Sequence, residues 1–390
     1  MNWSYRSTVL VLCMLAFFAT YFARLALSPV VPFITADFEI TNAQIGLALT
    51  GMWIAYGLTQ FPSGVLADRY GEKSIILVSV GGTAVVSVLL ALTPLFSVFV
   101  LFAVLLGAVA GLHYSVATTL LTRTYDDIGT AIGLHSLGAP LGGLLAPVLA
   151  AWVGVTFGWR PAVALSFAIA LPVFVLFAWG VRPTEPRRPD RRMRDQFRIK
   201  PVVELLSRPQ IAFTVFVAVV STFVINGLVS FLPTFLVAYH AYSPTIAGVA
   251  FSMYFVIRGA SQVGIGAVSD RIGRDFALIG CLVVGATGIT LLVVGTSPLV
   301  VGLAVALAGI GASYFPALDP RFLDNMSETE RGAEFGLVRT VYVVVSATGS
   351  IGVGLFADQF GWAVSFLLLV VLLCVAIGAL VINWLFDVGF

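Results

Sequence analysis

The sequence predicts an all-α membrane protein with twelve transmembrane helices in two pseudo-symmetric six-helix bundles. Three observations support this fold class: the composition, a series of long apolar runs and an internal repeat. Of the 390 residues, 59% are hydrophobic and only 10% are charged, whereas soluble domains carry about a quarter charged residues. This composition excludes a soluble enzyme, a disordered chain and a nucleic-acid-binding protein, because each needs a polar, charge-rich surface.

Catalytic and cofactor chemistry is not visible in the sequence. There is no nucleophile and base pair and no nucleotide-binding loop. Cys13, Cys281 and Cys374 lie far apart in apolar runs, so they give neither a disulfide framework nor a metal-ligand spacing. We therefore expect no enzymatic activity, no cofactor and no metal site.

The apolar runs set the number of transmembrane spans. A spanning helix needs about 20 mainly apolar residues, and twelve such runs are separated by short polar loops. Numbered spans 1 to 12, they are predicted at 8–33, 43–67, 73–94, 97–122, 129–155, 160–181, 211–238, 244–268, 275–295, 299–318, 332–356 and 361–385. The first run lacks a small-residue cleavage site, so we expect it to remain as span 1.

A basic segment at residues 182–209 separates the halves 1–181 and 210–390. It contains nine Lys or Arg residues and several prolines. With this linker in the cytoplasm, Arg160 is the only cation left in an outside loop, so the positive-inside rule places both termini in the cytoplasm. We interpret the linker as a topology signal and a solvated tether; an anionic-lipid site is the alternative. The expected location is the cytoplasmic (inner) membrane.

The two halves are copies of each other. At an offset of 202 residues, Gly57, Gln60, Gly64, Asp68, Arg69 and Gly71 recur as Gly259, Gln262, Gly266, Asp270, Arg271 and Gly273. At an offset of 203, Phe157-Gly158-Trp159 recurs as Phe360-Gly361-Trp362. Six spans repeated in the same sense predict two parallel bundles, with the substrate site where the repeats meet.

The turn between spans 2 and 3 carries a motif that occurs twice. Gly64 permits close helix approach, Asp68 and Arg69 end the span at the membrane surface, and Gly71 can take the positive φ of a tight turn. In length, twelve-span layout, basic central linker and both copies of this loop, the whole chain resembles the major facilitator superfamily. The resemblance implies a gating role for Gly64, Asp68, Arg69, Gly71, Gly266, Asp270, Arg271 and Gly273.

Ionisable residues inside spans are rare and usually mark a transport path. Arg24, Arg258 and Arg339 lie within predicted spans, and no Asp or Glu lies deeper than the first turn of any predicted span. The repeat places uncharged residues at all three equivalent positions, so the scaffold does not require these cations. They predict a net-positive cavity that binds an anion, since a guanidinium binds carboxylate or phosphate bidentately.

Each arginine also has a structural alternative. Arg339 is shallow enough to snorkel to the cytoplasm. Carbonyl groups freed where Pro29 and Pro32 disrupt span 1 can satisfy Arg24. For Arg258 the alternative is a purely structural role in its span.

Six further side chains are candidate substrate contacts: Tyr21, Trp53, Tyr56, Asn226, Tyr254 and Tyr342. Three of the tyrosines lie three or four residues from an arginine, on the same helix face. A phenol can donate a hydrogen bond to an anion without adding charge. Packing is the alternative role for each of these residues.

Three histidines can titrate near neutral pH. His113 in span 4 and His135 in span 5 are the candidates for proton coupling, with a satisfied core histidine as the alternative. His240 lies at the outer end of span 7, where we expect it to be solvated.

Three resemblances bear on the substrate. Span 1, with Tyr21 to Pro32, is similar to that of the organophosphate:phosphate antiporters and anion:cation symporters, which implies that Arg24 contacts the anion. Cations in spans 8 and 11 are similar to those of oxalate/formate exchangers and monocarboxylate carriers, which implies that Arg258 and Arg339 grip a carboxylate. The run Gly138-Ala139-Pro140-Leu141-Gly142-Gly143 resembles the motif of drug:proton antiporters, with Ala139 inserted before the proline. A sugar:proton symporter is disfavoured because its usual proton carrier, a deeply buried carboxylate, is absent from the predicted spans.

These patterns predict a monomeric secondary active transporter that moves a small organic anion, bearing carboxylate or phosphate, by alternating access. Arg24 and Arg258 are expected to meet the anion together. An empty positive cavity resists closure, which favours exchange or proton-coupled symport. The expected partners are the anion, membrane lipid and a coupled proton or counter-anion, without nucleic acid. A proton-coupled multidrug exporter is the alternative, and a sensor with a transporter fold is a second one.

Overall fold

A computed structural model describes residues 4–187, 199–327 and 333–386, and every regular element among them is helical. The α-helices are Tyr5–Leu25 (α1), Val31–Phe38 (α2), Asn42–Tyr70 (α3), Glu72–Ala91 (α4), Phe96–Gly111 (α5), His113–Thr124 (α6), Ile128–Ser136 (α7), Gly138–Phe157 (α8), Trp159–Gly180 (α9), Ile199–Leu206 (α10), Pro209–Ala238 (α11), Pro244–Ile272 (α12), Arg274–Val294 (α13), Pro298–Gly311 (α14), Phe315–Asp324 (α15), Ala333–Ser346 (α16), Gly349–Phe360 (α17) and Trp362–Leu385 (α18). A 3-10 turn at Ser28–Val30 joins α1 to α2.

The helices confirm the predicted spans. Seven spans are single helices, and five are pairs of helices joined by a short break: α1 with α2, α5 with α6, α7 with α8, α14 with α15 and α16 with α17. In the described ranges, eleven spans are long and apolar enough to cross a bilayer, and the remaining one, α3, is continuous but less apolar. The fold class predicted from composition and periodicity is correct.

The chain forms two compact units. Unit 1 comprises Met1–Glu39 and Gly51–Phe197, and unit 2 comprises Ile40–Thr50 and Arg198–Phe390. Of the predicted linker, residues 188–198 lie outside the described part of the chain, and α10 follows them.

The repeat in the sequence is also a repeat of backbone conformation. Among the residues that the structure describes, four glycines have positive φ, and each lies between the end of one helix and the start of the next: Gly71 at +81°, Gly158 at +91°, Gly273 at +98° and Gly361 at +82°. Glycine adopts this conformation without the steric cost that a side chain adds. The positive φ predicted for Gly71 is therefore confirmed, and its copy Gly273 has it as well.

Close helix packing also repeats, although not at the predicted glycine. A Cβ added at Gly107 would overlap the Met52 carbonyl oxygen, and in unit 2 a Cβ at Gly309 would lie 2.8 Å from the Tyr254 carbonyl oxygen. These residues are related by the same offset of 202. Gly64, in contrast, has no described atom within 4 Å of such a Cβ. The close helix approach predicted at Gly64 is wrong, and the close approach lies between α3 and α5.

The first turn of α3 has an unusually complete cap. The Thr41 hydroxyl accepts a hydrogen bond from the Gln44 backbone N–H, and the Gln44 side chain accepts one from the Thr41 N–H, which is a capping box. The Asp358 carboxylate of α17 accepts bonds from the backbone N–H groups of Asn42 and Ala43 at 3.1 and 2.7 Å. These contacts lie within unit 2.

Candidate functional site

In unit 1, α1 and α3 bring Arg24 together with three of the predicted substrate contacts, Tyr21, Trp53 and Tyr56. Only 2% of Arg24 is exposed. Its guanidinium carbon lies 3.9 Å from the ring centre of Tyr56, 5.1 Å from that of Tyr21 and 5.3 Å from that of Trp53. Aromatic faces attract a cation by their quadrupole. This group, the Arg24 cage, surrounds the planar faces of the guanidinium with rings.

The hydrogen bonds of Arg24 leave Nη2 without an acceptor. Nε donates to the Thr20 carbonyl oxygen at 3.3 Å, one turn earlier in α1. Nη2 is buried and has no hydrogen-bond partner. Within the described ranges, Arg24 forms no ion pair. A carboxylate or phosphate that approached along the two Nη groups would find the bidentate geometry that such anions favour.

The glycine-rich start of α8 packs directly against α1 beside this cage. A Cβ at Gly138 would lie 2.6 Å from the Met14 carbonyl oxygen, and one at Gly142 would lie 3.1 Å from the Tyr21 ring. Helix packing therefore accounts for Gly138 and Gly142, two of the three glycines in the segment that resembles the drug-exporter motif.

The two candidate proton carriers meet in unit 1. The ring centres of His113 and His135 are 5.4 Å apart, and neither residue is exposed. His113 is the first residue of α6, and His135 lies one residue before the end of α7. Each histidine is thus next to a break within its span.

In unit 2, Arg258 lies where α12 meets the break between α14 and α15. Its guanidinium carbon is 5.8 Å from the Phe315 ring centre, and its backbone carbonyl accepts a bond from the Ser313 hydroxyl at 2.9 Å. Tyr314 is close enough to interact electrostatically with Arg258, Tyr254 and Tyr342. Tyr314 was not among the predicted site residues. The aromatic pair Tyr314-Phe315 ahead of Pro316 was nevertheless a visible signal of a helix break.

A half-buried carboxylate accompanies Arg339, contrary to prediction. Helix α15 continues to Asp324, six residues beyond the predicted end of span 10. Asp319 is therefore inside the helix; the residue is half-buried, and its buried Oδ1 accepts no hydrogen bond. Arg339 interacts electrostatically with Asp319 and with Tyr342. The prediction that no Asp or Glu lies deeper than the first turn of a span is wrong for Asp319, which lies five residues before the end of α15.

Asn226, the counterpart of Arg24, takes part in helix packing. Its side-chain N–H donates to the Ser346 hydroxyl at 3.4 Å, and its backbone carbonyl accepts from the Ser350 hydroxyl at 3.5 Å. These bonds join α11 to α16 and α17. Tyr254 and Tyr342 are fully buried, so in this structure they are interior residues.

Ion pairs beside the repeated motif involve Asp270 of the motif and four residues that were not predicted as site residues: Glu72, Arg123, Arg274 and Asp324. In unit 1, the Glu72 carboxylate is 1% exposed and lies 3.0 Å from Arg123. In unit 2, Arg274 pairs with Asp270 and with Asp324, the latter at 3.4 Å. Each pair ties the start of the third span of a repeat to an adjacent helix end.

Arg321 and His240 also have defined partners. Arg321, only 5% exposed, donates to Asp275 at 2.6 Å and also to the Thr214 hydroxyl. Partly buried His240 donates from Nε2 to the Leu292 carbonyl at 2.7 Å. The expectation of a fully solvated His240 is wrong, because the chain after α11 folds back over the end of α13.

Apolar helices of this length with arginines inside them define a multi-pass membrane protein of the transporter type. Residues 13–243 and 234–388 match the profile of the Major Facilitator Superfamily. The chain belongs to this superfamily.

Individual relatives differ in their described roles. The chain is 23% identical over 380 residues to the hexuronate transporter of Bacillus subtilis, covering 90% of this chain and 88% of that protein. It is 24% identical over 401 residues to the multidrug resistance protein MdtG of Citrobacter koseri, covering 99% and 95%. The membrane sensor protein UhpC of Salmonella typhimurium is 28% identical over 180 residues, 46% of this chain and 41% of the sensor.

A solved structure has the same fold. The inward-facing, unoccupied structure of a bacterial homologue of the human lysosomal transporter Spinster has a TM-score of 0.84 at 18% identity, and the match covers 97% of each chain.

Proposed function

We propose that this protein is a secondary active transporter of a small organic anion bearing carboxylate or phosphate. Arg24 binds the charged group of the substrate in unit 1. In unit 2, Arg258 has the corresponding role, with Arg339 as a second cation. The anion moves by alternating access, either in exchange for another anion or with a proton.

The observation that carries this proposal is the state of Arg24. A buried charge is costly unless a counter-charge and hydrogen bonds compensate it. In the described part of the chain, Arg24 has no ion pair, and its buried Nη2 makes no hydrogen bond. Three aromatic rings surround the guanidinium but supply no counter-charge. An exogenous anion supplies both the missing charge and the missing acceptors.

The net positive charge around Arg258 and Arg339 in unit 2 is lower than the sequence predicted. Asp319 offsets part of the positive charge of Arg339, whereas Arg24 has no such neighbour. We therefore assign the main electrostatic contribution to Arg24 and Arg258, and a modulating contribution to Arg339.

The proposal includes location and topology. The protein acts as a monomer in the cytoplasmic (inner) membrane, with both termini in the cytoplasm. The support is the basic composition of the segment 182–209 and of the loops that share its side under the positive-inside rule.

Transport into proteoliposomes tests the proposal. Vesicles are preloaded with a pool of lactate, malate, phosphate, glucose 6-phosphate and glucuronate, and each anion is then offered in labelled form. We expect saturable uptake of one anion, reduced at least about tenfold in Arg24→Ala and in Arg258→Ala, which corresponds to about 1.4 kcal/mol of lost binding. Arg6→Ala is the matched control, because the Arg6 side chain is 59% exposed. Uptake at the wild-type level in both Arg24→Ala and Arg258→Ala would overturn the assignment.

A proton-coupled multidrug exporter is the second candidate. Similarity to MdtG along nearly the whole chain and the glycine-rich start of α8 favour it. It predicts that no anion moves and that a cationic dye is expelled along a proton gradient. Buried arginines oppose this function, because they repel a cationic substrate. A sensor would bind the anion without moving it.

A further inference from the structure

The His113 and His135 rings lie next to each other in the interior of unit 1. Both residues are fully buried, and none of their four ring nitrogens has a described side-chain hydrogen-bond partner; the Cys13 backbone of α1 is the hydrogen-bonding neighbour of both rings. Phe17 of α1 contacts both rings, with ring centres 5.8 Å from His113 and 5.2 Å from His135. Each imidazole has two ring nitrogens that can form a hydrogen bond, so one shared backbone neighbour leaves ring nitrogens of the pair without a partner in an apolar interior.

Few charged groups surround this pair. Helices α5 and α8 contain no titratable residue, and α7 contains only His135. On α6, Tyr114 lies 5.8 Å from the His135 ring centre, and Arg123 is at the opposite end, paired with Glu72 of α4. On α4, Lys73 also lies at that end and donates to a backbone carbonyl.

The remaining titratable neighbours come from α1. Cys13 is buried beside both histidines, and Arg24 acts electrostatically on His113. No carboxylate of the described residues acts on the pair. Two imidazolium ions at this distance would repel each other strongly in an apolar interior, so the pair can hold one proton but not two.

We propose that His113 and His135 together hold one proton and that this proton crosses the membrane with the anion. This inference rests on the proposed function and fixes its mode as symport. The proton enters the pair from the outer water, passes between the two rings through one water, and is released to the cytoplasm. No other bond is made or broken.

The coupling follows from the charges of unit 1. The positive charge of Arg24 opposes a second positive charge at His113, whereas an anion bound at Arg24 cancels that opposition. Linkage is reciprocal, so the proton also strengthens anion binding. A ring-to-ring path joins the two sites, because Phe17 contacts Tyr21 at 5.9 Å and Tyr21 lies beside Arg24. Each site favours occupation of the other.

A substrate-free measurement tests the shared proton. The chain has three histidines, so ¹³C,¹⁵N-histidine labelling with a His240→Gln variant gives a simple NMR spectrum of the pair in the intact protein. As the pH falls, we expect both rings to titrate together and to gain one proton in total. Two protons, or none while the protein remains folded, would overturn the proposal.

Transport tests the coupling. Proteoliposomes carry the five-anion pool, and potassium with valinomycin holds the membrane potential at zero. For a monoanion with one proton, we expect accumulation to rise about tenfold per unit of inward pH gradient in wild type. The double variant His113→Gln, His135→Gln should lose this response yet keep anion counterflow, which shows that it is folded. His240→Gln should behave like wild type.

The outcomes separate the two proposals. If wild type moves none of the anions, the anion assignment falls and the coupling falls with it. If wild type exchanges an anion but a pH gradient has no effect, only the symport proposal falls. The same holds if the double variant keeps the full pH response.

Discussion

The guanidinium carbon of Arg24 lies 3.9 Å from the ring centre of Tyr56, and the residue equivalent to Tyr56 in the second repeat is Arg258. The equivalent of Arg24 is Asn226, which is bonded to Ser346. Of these two arginines, Arg24 lies in the first span of unit 1 and Arg258 in the second span of unit 2. Unit 1 presents a cation held by rings, whereas unit 2 presents a cation beside a helix break. The two repeats share a helical scaffold but carry different side chains at these two equivalent positions.

Replacing Arg24 with lysine separates charge from geometry. Lysine keeps the charge but lacks the planar fork that binds carboxylate bidentately and stacks on aromatic rings. We expect the KM of the transported anion to rise about tenfold or more in Arg24→Lys, measured in the proteoliposome assay. Tyr56→Phe, which keeps the ring face, is the control, with a change of less than about threefold. An unchanged KM in Arg24→Lys would mean that charge alone matters.

Neutralising Asp319 should strengthen the effect of Arg339. Without the carboxylate, Arg339 attracts the substrate anion more strongly, so we expect a lower KM in Asp319→Asn and a higher one in Arg339→Gln. Because the two groups interact, the double variant should not show the sum of the two effects. The KM values of all four proteins give this cycle. Additive effects would show that Asp319 and Arg339 act independently.

The sequence predicted features that repeat along the chain better than features created by tertiary packing. Apolar periodicity gave the spans, and the repeated Gly71 and Gly273 gave two tight turns. Asp319 was missed because the end of span 10 was placed where hydropathy falls, whereas α15 continues through Pro320 and Arg321. Such boundaries depend on partners such as Asp275, which bonds Arg321 and lies far away in sequence.

For the site, helical spacing correctly placed Tyr21 one turn from Arg24, but it could not show that Trp53 and Tyr56 of α3 lie beside the same guanidinium. The role of Asn226 could not be foreseen in the same way. Its partners Ser346 and Ser350 lie on helices 120 or more residues away. The meeting of His113 with His135 likewise depends on how α6 packs on α7.

The buried ion pair of Glu72 should stabilise the fold far more than an exposed one. Removing one partner of a buried pair leaves a charge without compensation. We expect Glu72→Gln to lower the free energy of unfolding by about 1–3 kcal/mol and the thermal midpoint in detergent accordingly. Asp126→Asn is the control, since the Asp126 side chain is 97% exposed in its pair with Arg6 and should change stability by less than about 0.5 kcal/mol. Equal midpoints for both variants would contradict this difference.

Gly107 should be required for the packing of α5 on α3. A methyl group there would overlap the Met52 carbonyl oxygen, which belongs to the backbone and cannot move aside as a side chain can. We expect Gly107→Ala to lower the free energy of unfolding by about 1–3 kcal/mol, the usual cost of overpacking. Gly302→Ala in α14 is the matched control: this exposed glycine has no described atom within 4 Å of an added Cβ, so alanine should leave stability unchanged or raise it by less than about 1 kcal/mol. Thermal unfolding of both purified variants in one detergent measures the difference. A Gly107→Ala protein as stable as wild type would show that α3 and α5 can move apart without loss of stability. The close approach at Gly107 would then not contribute to the stability of unit 1.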